Sequence, residues 1–138
     1  MAIKPLIASL SSFASYASST ADLVTWSSTP MTMTIAKNGS SYDANAYLGG
    51  DGTNAHTRIY NKHIVTITPA AGKTIASITF NTTGSTYATN LNNGTWGNAS
   101  HEISGNDVIA TPTSGTSAVT VQIGTSTRVN TVTILYTE

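Results

Sequence analysis

From Met31 onward, apolar and polar residues alternate in short runs separated by Gly, Asn and Pro, the pattern of strands with one face buried. The alternation predicts strands over Met31 to Ala36, Thr57 to Tyr60, Lys62 to Thr68, Thr74 to Asn81, Val108 to Thr111, Ser117 to Ile123 and Arg128 to Tyr136. Side chains two apart share a face, which groups Ala76 with Ile78 and Phe80, His63 with Val65 and Ile67, and Val132 with Ile134 and Tyr136 as the expected core. Turns fall at Pro69-Ala70-Ala71-Gly72, Asn92-Asn93-Gly94 and Ser104-Gly105-Asn106, where Pro fixes φ and Gly or Asn accepts positive φ. Strands of this length with polar connections predict an all-β fold, an antiparallel sandwich of two packed sheets.

The first 29 residues follow a different spacing. Ile3, Leu6, Ile7, Leu10 and Phe13 recur at intervals of three and four, which line one face of a helix, and Pro5 suits a first helical turn. The many serines between Ser9 and Ser28 oppose a helix, because serine competes locally for backbone hydrogen bonds. A helical and an extended N-terminal arm therefore both stand as readings of residues 1–29, with the sandwich expected over 30–138. In either form the five apolar residues make a stripe suited to docking on a partner.

A chain of 138 residues suits one domain with one core. Only 9% of residues are charged, and 17 serines and 25 threonines supply the polarity, so the expected surface is hydroxyl-rich and nearly uncharged. Six basic residues balance six acidic ones, which leaves no broad basic field for a phosphate backbone; nucleic acid is not an expected partner. With no cysteine, disulfides and thiolate metal sites are excluded. The run Leu6-Ile7-Ala8-Ser9-Leu10 is too short for the core of an export signal, and no apolar run reaches the length of a spanning helix, so no membrane partner is expected.

Four segments then carry a resemblance. Thr57-Arg58-Ile59-Tyr60-Asn61-Lys62, Gly72-Lys73-Thr74-Ile75-Ala76-Ser77-Ile78-Thr79-Phe80, Ser85-Thr86-Tyr87-Ala88 and Thr127-Arg128-Val129-Asn130-Thr131-Val132-Thr133-Ile134 together resemble a β-sandwich module of gut-bacterial surface proteins and their phages, over about residues 31–136. The resemblance implies a jelly-roll-like, lectin-like sandwich and brings no catalytic residues.

Candidate chemistry is sparse. Arg58 and Arg128 each sit in a strand signal, where the guanidinium fork either braces the sandwich or contacts a sugar or partner. His56, His63 and His101 match no usual metal spacing, and no Gly-x-Ser-x-Gly elbow anchors a hydrolase triad. Asp43, Asn45, Asp51 and Asn54 gather oxygen atoms in one Gly-rich stretch, yet without the spacing and closing Glu of a calcium loop. No metal or cofactor is expected. Trp26, Tyr42, Tyr47 and Trp96 fall in loop-like positions; Tyr47, Arg58 and Trp96 form the candidate glycan-binding set, with capping of the core as the other role for Trp96.

Two functions fit these features, both without catalysis. The first is a structural protein of a phage virion, an auxiliary or decoration protein made in the host cytoplasm. It would dock on the major capsid protein or another virion component through Ile3, Leu6, Ile7, Leu10 and Phe13, in a multi-copy assembly. The second is a carbohydrate-binding or adhesion module.

Overall fold

A computed structural model describes residues 2–9, 18–28, 30–49 and 56–138, and these build two antiparallel sheets around one core. In chain order the strands are β1 (Lys4–Ser9), β2 (Ser18–Ser19), β3 (Leu23–Ser27), β4 (Met31–Ala36), β5 (Thr57–Ile59), β6 (Ile64–Pro69) and β7 (Thr74–Thr82). Helix α1 (Ser85–Asn92) follows, and then β8 (Thr95–Gly97), β9 (Ala99–Ser104), β10 (Asp107–Pro112), β11 (Val119–Gln122) and β12 (Thr127–Thr137). Sheet A runs β1-β12-β7-β10-β9, with β5 also on β12; sheet B runs β2-β3-β4-β6-β11-β8. β12 pairs through Thr127 to Val129 with β5 and through Thr131 to Tyr136 with β1, so one long strand holds two short ones end to end along one edge.

The alternation in the sequence becomes the two inner faces. Met31, Met33 and Ile35 of β4 and Val65 and Ile67 of β6 point inward from sheet B, and meet Ile78 and Phe80 of β7 and Val132 and Ile134 of β12 from sheet A. Outward, the same alternation sets Thr25, Thr34, Thr66 and Thr120 in register across sheet B as a row of hydroxyls. Gly72 at φ 80° and Gly105 at φ 63° supply the left-handed conformations expected at their turns.

Four local points correct or complete the sequence reading. In β7, Ile75 rather than Ala76 is buried, because the pairing with β12 slips between Leu135 and Tyr136 and the irregularity turns the preceding residues over. Trp26 lies on β3, 4% exposed, not in a loop. Helix α1 occupies the segment Ser85-Thr86-Tyr87-Ala88 and beyond; its sequence has weak helix propensity, and it is held by burying Ala88 and Leu91. Residues 4–9 are extended, not helical: Leu6 pairs with Ile134 in β12 and packs against the sandwich's own core. β2 and β3 likewise belong to sheet B, so the described part of residues 1–29 contributes strands to both sheets. Ile3 is 58% exposed, Ile7 pairs with Thr133, and Leu10 and Phe13 lie outside the described residues.

Candidate functional site

The chemistry-bearing side chains gather where the loop after β4 crosses the short strand β5. Asp43 of that loop pairs with Lys37 at 2.9 Å, the Ala44 amide donates to the Ala21 carbonyl at 2.7 Å, and the Arg58 amide donates to the Tyr47 carbonyl at 3.0 Å. These bonds set Tyr47 over β5. The Arg58 guanidinium lies 4.4 Å from the centre of the Tyr47 ring, and the same ring stacks on His56 at 5.0 Å. Arg58 Nε donates to His56 Nε2 at 3.2 Å, so tyrosine, arginine and histidine fix one another. Beside them Tyr42 and Tyr60 stack at 4.1 Å, and Tyr42 is 49% exposed, an aromatic face presented to solvent.

His63 supports this surface from below. It is wholly buried, its Nδ1 accepts from the Tyr60 amide at 3.1 Å, and its Nε2 lies 2.9 Å from the Tyr42 carbonyl oxygen. An acceptor at Nδ1 requires the proton on Nε2, which then donates to Tyr42. Burial pushes the imidazole below its ordinary value of 6.5; the bond to the Tyr42 carbonyl opposes the shift, Lys37 adds to it and Asp43 offsets it.

The fold thus unites Tyr47 and Arg58 from the expected glycan set and leaves Trp96 apart. Trp96 stands on β8 in sheet B, half-buried, edge-on to Phe80 at 5.8 Å and stacked on His101 at 4.7 Å, with its Nε1 donating to the Asn92 carbonyl at 3.3 Å. Those contacts are the ones a core cap makes. Sequence reasoning did not place His56 and Tyr60 in the cluster, because their proximity depends on how the loop docks. Of the oxygen-rich loop residues, Asn45 donates to Ser19 Oγ at 3.2 Å, and Asp51 and Asn54 lie outside the described residues.

A shallow cleft elsewhere is lined by Ser100, His101, Glu102, Ile109 and Thr111. Its adjacent Ser, His and Glu suggest a triad by composition, but the strand pleat sends neighbouring side chains to opposite faces. His101 is on the Asn92 side, with Nδ1 2.7 Å from Asn92 Oδ1, stacked on Trp96, whereas Ser100 and Glu102 share the exposed face with Ile109 and Thr111. The imidazole is thus directed away from both potential partners. Among the described residues, no three His, Asp or Glu side chains are grouped to hold a metal ion, and no helix is long and apolar enough to cross a membrane.

Fold and site define a two-sheet antiparallel β-sandwich with an aromatic and arginine surface at one loop-strand junction. No protein family, no curated protein and no solved structure matches the chain.

Proposed function

We propose that this chain is a non-enzymatic β-sandwich that works by recognition, as a carbohydrate-binding or adhesion module. The observation that supports this reading is the junction of Tyr42, Tyr47, Arg58 and Tyr60, where aromatic rings and a guanidinium are held by backbone bonds and one buried histidine. Rings already fixed in place lose little side-chain entropy on meeting a sugar, and the adjoining polar groups supply orientation. A glycan array probed with the whole chain tests it: selective binding that Tyr42→Ala weakens while the circular dichroism spectrum is kept is the expected result. No selective signal on the array would refute it.

A second reading, a structural protein of a phage virion, draws support from β1. Among the described residues this strand is an edge of sheet A, with exposed Ile3 immediately before it, and its side away from β12 suits strand addition by a neighbouring subunit. Mass spectrometry of purified virions would detect the chain in multiple copies, and its absence from them would reject this reading.

A further inference from the structure

Arg58 and Arg128 occupy directly opposed positions in the β5–β12 pair. Their strand neighbours Thr57, Ile59, Thr127 and Val129 are all fully buried, so both arginines project from the outward face of the sheet, on the same side. Like charges at directly opposed positions destabilise a sheet. The ion pairs among the described residues lie elsewhere: Lys4 and Lys73 meet Glu138, and Lys37 meets Asp43. Among the described residues no carboxylate approaches Arg58 or Arg128 within ion-pair distance. Each guanidinium instead lies over a tyrosine ring, Arg58 over Tyr47 at 4.4 Å and Arg128 over Tyr87 at 4.8 Å.

The tyrosines hold the two cations without neutralising them. Arg58 uses one donor, Nε, on His56, and no described residue accepts a side-chain hydrogen bond from Arg128. Most of the ten N–H donors that two guanidinium groups carry, about five each, therefore remain for a ligand. Planar forks of this kind match the paired oxygens of a carboxylate or sulfate. The Tyr87 side of the arrangement is itself fixed, since Thr127 Oγ1 donates to the Tyr87 carbonyl at 2.8 Å.

We propose that Arg58 and Arg128 form an oxyanion subsite that receives the carboxylate or sulfate of an acidic sugar. This rests on the glycan-binding reading above and narrows it to acidic glycans. The positive charge is local to the β5–β12 pair in a chain of zero net charge, so the subsite selects an anionic group on a ligand and does not gather polyanions over the whole surface.

The test titrates the full chain with lactose, sialyllactose and sulfated lactose by calorimetry. The acidic sugars should bind at least about tenfold more tightly than lactose, the scale of one charge-assisted hydrogen bond, and the tighter of the two identifies the preferred anion. The preference should vanish in the double variant Arg58→Gln, Arg128→Gln and diminish in Arg128→Lys, which keeps the charge and loses the fork. Equal binding of neutral and acidic sugars, or a preference that survives in a folded double variant, overturns the subsite. Should none of the three sugars bind, inorganic sulfate decides between the two claims. Sulfate-dependent shifts of the Arg58 and Arg128 side-chain NMR signals would retain the oxyanion site while the glycan reading falls, and no shift would overturn the site as well.

Discussion

His63 Nε2 sits 2.9 Å from the carbonyl oxygen of Tyr42, and joins a surface loop to the core from a position with no solvent exposure. The bond at Nδ1 needs the neutral imidazole, because Nδ1 accepts there from the Tyr60 amide and a second ring proton would remove that acceptor. Its folded-state pKa is depressed, chiefly by burial, so between the folded value and 6.5 the unfolded chain binds the extra proton. The stabilisation is complete above 6.5 and declines as pH falls through that window. Urea midpoints should therefore drop between neutral pH and mildly acidic pH, and His63→Asn should flatten that drop while being less stable at neutral pH. Glu138, held low by Lys4 and Lys73, acts only further into acid, below 4.5. An equal drop in His63→Asn would assign the effect to other groups.

The irregular pairing of β7 with β12 makes a prediction about neighbouring residues. Phe80→Ala should cost about 3–5 kcal/mol and Ile75→Ala about 2–5 kcal/mol, since both side chains are buried. Thr79→Ala, on the outward face, should cost under about 1 kcal/mol, as surface changes do. Chemical denaturation of the three variants checks this, and similar costs for Thr79 and Phe80 would place the strand one residue out of register.

Gly115 is fixed by space. A Cβ there would lie 2.4 Å from the Ile75 carbonyl oxygen and 2.6 Å from Thr74 Cγ2, where the loop closes on β7 through a 2.8 Å bond from the Ile75 amide to the Gly115 carbonyl. Gly115→Ala should destabilise by about 1–3 kcal/mol, the usual range for overpacking. Gly84, with open space around its Cβ position and an extended backbone, serves as the control: Gly84→Ala should be nearly neutral in the same thermal melt.

Removal of residues 1–9 should lower stability and solubility together. The deletion takes Leu6 from the core margin and bares the backbone edge of β12 from Thr131 to Tyr136. Sedimentation and thermal unfolding of the truncated chain would show this. A monomer as stable as the full chain would mean that β1 adds nothing to the fold and is available to a partner.

Much of the sandwich was legible because burial alternates with the pleat. The strand over Met31 to Ala36 was expected with the same bounds, since Met31, Met33 and Ile35 advertise the inner face. β9 escaped because His101 and Glu102 interrupt an edge strand with little to bury, and α1 escaped because Ser, Thr and Asn give no helical signal. The N-terminal spacing left a helical and an extended form open, and the choice between them depends on the strand edge that β12 offers to residues 4–9. In the site, the chemistry of Tyr47 and Arg58 is legible in the sequence, but their contact depends on a loop whose docking no local pattern encodes. The pairing of Arg58 with Arg128 depends on strand register between segments far apart in the chain.

Because β1 and β12 run antiparallel, with Lys4 opposite Tyr136 and bonded to Glu138, the chain enters and leaves sheet A at one end. Tension applied through these two points pulls across the hydrogen bonds and breaks them in succession, as a zip opens, instead of shearing all of them at once. The β1 pairing should then open at low force in a single-molecule experiment. Attachment through a residue at the far end of β12 would change the direction of loading and raise the force needed.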